Sequence, residues 1–196
     1  MSPRGVAIPD LRERLFDAAE RVVARDGAAA LTSRAVTHEA GCAKGVLHTH
    51  FTGLDEFVAD LVLDRFARAS TLAAALPARA GTGTVADNLM AVASAVLSLD
   101  PGVVGLAVTR PAASRRIREA WRAGAPGFDV VQASVDGYLR EERRLGRVGT
   151  GVDPQSVALA LVGTLHHLLM TDGVDAPDAR DRVERLVRAL VAVPVP

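Results

Sequence analysis

Several residue types are scarce in this sequence, and each scarcity narrows what the protein can be. A single cysteine, Cys42, excludes an internal disulfide and favours a reducing compartment. The longest apolar run, Val157 to Met170, is interrupted by two histidines and is too short to span a bilayer. Arginines scattered through the first 25 residues leave no apolar core for a signal peptide. We therefore expect a soluble, cytoplasmic protein that does not engage a membrane.

The sequence also has no excess of positively charged side chains. The chain has 23 basic and 23 acidic side chains, so its overall composition does not indicate a nucleic-acid-binding protein. Residues 1–60 are slightly acidic, with seven basic and nine acidic side chains. Between Ser33 and His50 the balance reverses, because Arg34 and Lys44 face only Glu39. Attraction for phosphate must therefore be local, carried by this short segment and by helix N-termini.

Catalytic and metal-binding constellations are absent from the sequence pattern. There is no nucleophile elbow, phosphate-binding loop or pair of carboxylates with partners. Residues 38–50 contain histidines and the cysteine, but their spacing fits no standard zinc finger. His166 and His167 would point about 100° apart on a helix and could not bind one ion together. We expect no enzyme, no cofactor and no metal.

The chain shows helical periodicity throughout and no strand alternation, which predicts an all-α protein of roughly nine or ten helices. We expect a head at residues 1–53 and a helical body at 54–196. A Gly- and Pro-rich stretch, Leu76 to Thr84, predicts a linker inside the body. In the head, one helix is predicted from about Asp10 to Arg25 and a pair of short helices within 31–51. In the body, Ser114 is predicted to cap a helix at 115–123. The other predicted body helices run from about Leu54 to Ala75, Val85 to Leu99, Val103 to Thr109, Phe128 to Arg144, Pro154 to Met170 and Asp178 to Val193.

Residues 31–51 predict two short helices joined by a tight turn. Thr32 or Ser33 can cap the first helix, and Gly41 can end it in the left-handed conformation. Leu47 and Phe51, four residues apart, give the second helix a buried face. This arrangement is the helix-turn-helix unit, whose second helix enters the DNA major groove.

The same segment resembles the N-terminal signature of the TetR family of bacterial transcriptional regulators. Two positions depart from the family pattern: His48 stands where a tyrosine usually touches a phosphate, and Leu54 stands where a lysine usually does. The resemblance spans about the first 60 residues and implies a DNA-binding head on a body that binds a small molecule and dimerises. The matching residues are Thr32, Ala40, Gly41, Gly45, Leu47, His50 and Phe51.

Six residues of the helix-turn-helix are expected to read one half-site of a double-stranded DNA operator. Glycine would let the backbone approach the DNA closely, and arginine is the commonest reader of guanine. We expect His50 to pack against the core of the head instead. The six are Arg34, Lys44, Gly45, Val46, His48 and Thr49.

The body offers apolar helices broken by proline and glycine, a construction that predicts a cavity for an apolar or aromatic effector. The alternative, that the same side chains only fill the core, remains open for each of them. The predicted lining residues are Phe66, Met90, Leu106, Trp121, Phe128 and Tyr138, with Arg110 or Thr109 supplying polarity.

The two long helices at Phe128 to Arg144 and Pro154 to Met170 have more apolar surface than one small core should absorb. In the family, the corresponding helices pair into a four-helix dimer interface. The resemblance therefore implies a homodimer, with Leu161, Leu165 and Leu168 expected at the centre of its interface.

Taken together, these features predict a transcriptional repressor released from a palindromic operator by a small apolar or aromatic ligand. The alternative is a helical small-molecule-binding protein with a degenerate, weakly DNA-binding head. The acidic N-terminal region, His48 and Leu54 favour that alternative.

Overall fold

The structure is a computed structural model that describes residues 11–171 and 177–191, and within these ranges it contains helices and no strands. The predicted all-α fold is confirmed. The ends predicted at Asp10 and Val193 lie outside the described residues. The α-helices of the described residues are α1 Leu11–Asp26, α2 Ser33–Glu39, α3 Val46–His50, α4 Leu54–Ala74, α5 Val85–Leu97, α6 Pro101–Thr109, α7 Pro111–Arg122, α8 Phe128–Arg144, α9 Pro154–Met170 and α10 Ala179–Val191, with 3₁₀ turns at Ala28–Ala30 and Leu76–Arg79.

Helices α6 and α7 both begin earlier than the sequence pattern predicts, each with a proline at its first position. Proline suits this position because its fixed φ is helical and the N–H it lacks would have had no partner within the helix. The side chain of Asp100 caps α6 by accepting a hydrogen bond from the Val103 N–H at 3.0 Å. Ser114 lies inside α7, where its hydroxyl donates to the Ala107 carbonyl, so the prediction that it caps the helix is wrong.

Three phenylalanines form the centre of the head. The ring of Phe57 lies 5.4 Å from that of Phe16 and 5.0 Å from that of Phe51, the latter edge-on at 88°. Edge-to-face packing at these separations is favourable because the positive ring edge meets the negative ring face. Phe57 belongs to the first turn of α4. The core of the head therefore includes the start of the helix that continues into the body.

A nearly buried arginine fixes α4 against α1. The guanidinium of Arg65 is 13% exposed and lies 2.8 Å from Glu13, 2.6 Å from Asp17 and 2.8 Å from Glu20. These carboxylates, Glu20 foremost, raise the pKa of Arg65, so the side chain is charged at every accessible pH. Several charge-assisted hydrogen bonds to one planar group specify both the distance and the angle between two helices.

One side of helix α9 packs against α5, α6, α8 and α10, while the opposite side, which includes Leu159 and Gly163, is exposed. This position explains its apolar sequence and corrects one prediction. Leu161, Leu165 and Leu168 are 0%, 0% and 2% exposed within the single chain. Side chains already buried in their own protomer cannot form the centre of a contact with a second one. They belong to the core of the body.

Within the described residues, no single helix has both the length and the apolar character needed to cross a membrane. One pair, Val85–Leu97 and Pro101–Thr109, meets the criteria jointly by length and composition only, and it is bent by 58°.

Replacing Arg65 with methionine should lower the free energy of unfolding by about 1–3 kcal/mol, because four neighbouring carboxylates, Asp64 included, lose their shared cation. The measurement is urea denaturation followed by circular dichroism. Arg188→Met is the matched control, since Arg188 makes one surface pair with Glu184 and is 65% exposed. The control should leave the transition unchanged, and equal effects of both variants would contradict the role given to Arg65.

Candidate nucleic-acid interface and internal cavity

The segment predicted as a helix-turn-helix has that geometry. Thr32 caps α2 by accepting a hydrogen bond from the Ala35 N–H at 3.1 Å. Gly41 follows with a φ of 64°, the left-handed conformation that glycine adopts without steric cost. The Cys42 N–H donates to the Thr37 carbonyl at 2.8 Å and closes the turn. These local interactions fix the angle at which α3 leaves α2.

The buried and exposed faces of α3 lie as predicted, except at one residue. Leu47 and Phe51 are 0% and 4% exposed, so they anchor the helix on the head. His50 is exposed, which contradicts the expectation that it packs on the core. The reason is that α3 ends at His50 and the chain becomes extended at Phe51, whose ring takes the core position instead. Arg34, Lys44, Gly45, His48 and Thr49 are exposed and Val46 is half-buried.

Although the head is slightly acidic, no unpaired carboxylate among residues 11–60 lies beside this face. Every acidic side chain between residues 11 and 60 forms an ion pair. Glu39, the acid nearest to the turn, is 2.8 Å from Arg21 and 2.9 Å from Arg25, whose hydrogen bonds lower its pKa. Arg34 and Lys44, by contrast, make no ion pair with any described residue. Positive charge is therefore locally uncompensated where the segment is most exposed.

Gly45 precedes the first residue of α3 in an ordinary helical conformation, with a φ of −84°. A Cβ added there would meet no atom within 4 Å. Nothing in the fold itself requires a glycine at this place. Its lack of a side chain leaves room above the backbone on the exposed side of the head.

A cavity of about 230 Å³ lies in the body, where α4, α6, α7, α8 and α9 meet. One wall is aromatic: the Phe66 ring is 5.8 Å from Trp121 and 4.9 Å from Phe128, both nearly perpendicular to it. The lining is otherwise mostly aliphatic. The described lining residues are Val62, Phe66, Val104, Ala107, Val108, Ser114, Ile117, Arg118, Trp121, Phe128, His166 and Met170.

Only a few polar groups reach this cavity. The indole N–H of Trp121 is buried and donates to no described atom. A Cβ at the neighbouring Gly127 would come within 3.0 Å of that nitrogen, so a larger residue would displace the indole. His166 packs edge-on against Phe128 at 5.2 Å and is exposed on its other side. A buried donor without an acceptor is destabilising by about 1–3 kcal/mol.

The cavity includes three of the residues predicted to line it and leaves out the others. Phe66, Trp121 and Phe128 line it. Met90 and Leu106 are buried elsewhere in the core. Tyr138 is fully buried, and its hydroxyl accepts a hydrogen bond from Asn88 at 2.9 Å. Burial raises the pKa of Tyr138 to about 12, as expected for a neutral core phenol. The core interpretation is therefore the correct one for these three side chains.

Arg110 lies away from the cavity and faces the head, so its predicted role in the lining is corrected. Its guanidinium is 3.0 Å from Asp55 and also donates to the Leu31 carbonyl at 3.4 Å. The reason is that Arg110 sits between α6 and α7, beside the first turn of α4. Thr109, the other residue considered for polarity, uses its hydroxyl within α6 by donating to the Gly105 carbonyl at 3.0 Å.

Helix α7 contacts both the cavity and the head. On the side facing the head, Arg116 lies 2.6 Å from Glu56. Glu56 in turn accepts hydrogen bonds from the backbone N–H and the hydroxyl of Thr52, which lower its pKa. Thr52 lies just after α3. A continuous set of contacts thus leads from the cavity wall through one helix to the residue that follows the exposed helix of the head.

Apart from Trp121, the residues that α7 contributes to the cavity were missed, although their spacing was available in the sequence. Ser114, Ile117, Arg118 and Trp121 follow one another by three, one and three residues, which places them on one helical face. Starting this helix at Pro111 would have exposed the pattern. The contributions of α6 and α9 depend on how the helices cross, and no local pattern encodes that crossing.

Comparisons with known proteins agree with this architecture. Residues 15–61 match the model of the family "Bacterial regulatory proteins, tetR family". No curated protein matches the sequence. A Mesorhizobium loti protein assigned to the TetR-family transcriptional regulators is 17% identical with a TM-score of 0.69, and the match covers 92% of this chain and 95% of that chain.

Two further solved structures are similar over most of their length. FadR from Bacillus subtilis, in complex with stearoyl-CoA, is 18% identical with a TM-score of 0.64, covering 92% of this chain and 97% of that chain. SmeT, the repressor of the Stenotrophomonas maltophilia multidrug efflux pump SmeDEF, is 22% identical with a TM-score of 0.59, covering 91% and 88%. At these identities the likeness concerns the fold.

If Phe128 lines a cavity, Phe128→Ala should lower the free energy of unfolding by only about 1–2 kcal/mol, because part of its ring is already unpacked. Phe57→Ala, in the fully packed centre of the head, should cost about 3–5 kcal/mol. Urea denaturation of the two variants gives the comparison. Equal costs would mean that Phe128 is an ordinary core residue.

Proposed function

We propose that the protein is a transcriptional repressor that a small molecule releases from its operator, on the premise that residues 15–61 match the TetR family model and the chain has a TetR-like fold. The observation that carries the proposal is the exposed α2–α3 face of a family-type head, with uncompensated Arg34 and Lys44 and no bare carboxylate nearby. Local positive charge of this kind is what a protein with zero net charge needs to bind phosphate.

In the proposed complex, α3 enters the major groove and each head reads one half-site of a palindrome. Arg34 contacts a base edge, Lys44 contacts phosphate, and Val46, His48 and Thr49 complete the recognition surface. Gly45 lets the backbone approach the DNA, which the open space above it permits. The side chain of Leu54 cannot donate to phosphate, so the head depends more heavily on these contacts.

The proposed effector is a small apolar or aromatic molecule bound in the cavity. An engineered cavity of about 150 Å³ holds benzene, so by proportion the 230 Å³ found here would accommodate roughly nine non-hydrogen atoms. The stearoyl-CoA complex of FadR shows that a protein of similar fold takes an acyl ligand. Because α7 lines the cavity and holds Asp55 and Glu56, a ligand that moves α7 also moves the start of α4.

Release from DNA sets a quantitative requirement for the ligand. Changing operator occupancy from about 99% to about 1% requires a preference of about 5.5 kcal/mol for the released conformation. A dimer with two cavities divides this between two ligands, at roughly 2.7 kcal/mol each. A ligand of about nine non-hydrogen atoms can provide this much, since very small ligands reach up to about 1.5 kcal/mol per atom.

We propose that the dimer interface is formed by the exposed side of α8 and α9. The buried leucines of α9, Leu161, Leu165 and Leu168, would not take part in it. Leu159 is 60% exposed, and Gly163, which is also exposed, lies one turn further along α9. A Cβ added to Gly163 would meet nothing within 4 Å in the protomer, so a partner helix could approach closely there. Ala133 on α8 and Gln155 on α9 border this surface.

The second candidate function, a ligand-binding protein with a degenerate head, is favoured by His48 and Leu54 at positions where the family resemblance implies phosphate contacts. A gel shift with DNA from the protein's own promoter region separates the two functions. A specific, salt-sensitive complex supports the repressor. Binding no tighter than to unrelated DNA would support the alternative.

On that promoter DNA, Arg34→Ala should lose about 1–3 kcal/mol of binding and relax sequence preference if the arginine holds a base with two hydrogen bonds. Lys44→Ala should weaken specific and unrelated DNA alike and reduce the slope of log K against log salt by about one. Fluorescence anisotropy at several salt concentrations measures both. Arg188→Ala removes the same charge from the distant α10 and should change nothing, whereas parent-like binding by both head variants would disprove the assignment.

The outward face of α9 predicts that Leu159→Glu converts a dimer into a monomer at micromolar concentration, because it buries two unpaired carboxylates in the interface. Gly163→Arg should do the same by blocking close helix approach. Sedimentation velocity measures the mass. Leu72→Glu is the control: it makes the same substitution at a 40% exposed leucine on α4 and should leave the protein dimeric. A monomeric parent protein, or dimeric variants, would exclude this interface.

A further inference from the structure

We propose that the cavity selects an anionic amphiphile, a small aliphatic or aromatic carboxylate. Its apolar part would lie against Phe66, Trp121 and Phe128, and its carboxylate would meet Arg118 at the mouth of the cavity. This inference rests on the proposed function and names the chemical class of the effector. The sequence predicted an apolar or aromatic ligand, and the present inference adds that this ligand carries a negative charge at one end.

The first support is the charge of the cavity lining. Of the described residues that line the cavity, Arg118 carries the only full charge and none is acidic. An ammonium ligand would meet a like charge there and no carboxylate to offset it. A carboxylate would meet its preferred partner, since the guanidinium fork matches the two carboxylate oxygens.

The second support is the contrast among the arginines at α7. Arg110 and Arg116, which face the head, are each paired with an acid at the start of α4. Arg118, which faces the cavity, has no acidic side chain within ion-pair distance among the described residues. Arg115, on the side of α7 that faces the head, also makes no ion pair with a described residue, so it is the position of Arg118 in the cavity lining that makes its charge available to a ligand.

The third support is the set of hydrogen-bonding groups. The buried Trp121 N–H lacks an acceptor, and the His166 ring stands at the exposed edge of the cavity. The Ser114 hydroxyl, the other polar group in the lining, already donates to the Ala107 carbonyl. The Arg118 guanidinium at the mouth of the cavity makes no hydrogen bond to a described residue, which suits a ligand that presents acceptor oxygens there.

The dimensions also favour a short amphiphile with its head group at the surface. The volume holds roughly nine non-hydrogen atoms by the proportion used above. The rim includes Val108, 62% exposed, and Met170, 39% exposed, so the cavity opens to solvent beside Arg118 and His166. An eight-carbon chain would occupy the apolar interior and leave its carboxylate hydrated at the rim.

The test uses three probes that share one chain and differ in charge: octanoate, 1-octanol and octylammonium. Trp121 is the only tryptophan, so its fluorescence reports occupation of the cavity without a label. Titrations of the full-length protein at neutral pH should show octanoate binding about three- to tenfold more tightly than 1-octanol. Octylammonium should bind more weakly than 1-octanol.

Substitution of Arg118 then assigns the preference to one side chain. In Arg118→Gln, octanoate should fall to the affinity of 1-octanol, while the affinity for 1-octanol stays at the parent value and so demonstrates an intact cavity. Arg115→Gln is the matched control: Arg115 is an exposed neighbour on α7 that does not line the cavity, and its removal should preserve the octanoate preference.

Three results would overturn the proposal: no binding of octanoate at millimolar concentration, equal affinities of the parent protein for octanoate and 1-octanol, or a preference that survives in Arg118→Gln. None of these titrations contains DNA, so they are independent of the repressor function. If octanoate binds as described but never changes promoter binding, the effector role fails and the ligand class stands.

Discussion

Helix α4 carries two aromatic clusters of one continuous hydrophobic core, and the rest of the structure depends on this constraint. Phe57 packs with Phe16 and Phe51 in the head, and Phe66 packs with Trp121 and Phe128 beside the cavity. At about 1.5 Å per residue, the two rings are anchored some 14 Å apart on one stiff rod. Arg65 fixes the angle of that rod against α1. The cavity wall and the core of the head are therefore anchored on the same helix.

The second connection, through α7, is weaker and for that reason suited to switching. The Asp55–Arg110 and Glu56–Arg116 pairs are partly exposed, with side-chain exposures of 48% and 27% in the first and 21% and 45% in the second. Exposed ion pairs contribute about 1 kcal/mol or less each. A ligand providing a few kcal/mol can rearrange such contacts, whereas the phenylalanine core of the head would resist it. Strong contacts preserve the head as a unit, and weak contacts set its position.

The features predicted correctly from the sequence are those that a few neighbouring residues determine. The cap at Thr32, the turn at Gly41 and the buried Leu47 each follow from a few neighbouring residues, and so does the all-α fold. Predictions that needed helix crossings were less successful. In the sequence, Tyr138 and Leu161 look the same as side chains that line a cavity or an interface. Their neighbours in the fold place them in the core. Arg118 was hidden because a basic helix does not reveal which arginines have partners.

The central claim is that the cavity and the DNA-binding face are linked through α4 and α7, and thermodynamic reciprocity tests it directly. If a ligand weakens DNA binding by some factor, DNA must weaken ligand binding by the same factor. The measurement is the affinity for octanoate, read from Trp121 fluorescence, with and without saturating DNA from the protein's own promoter region. The account predicts weaker octanoate binding in the presence of that DNA, by the factor found for DNA release. An affinity that DNA does not change would contradict it.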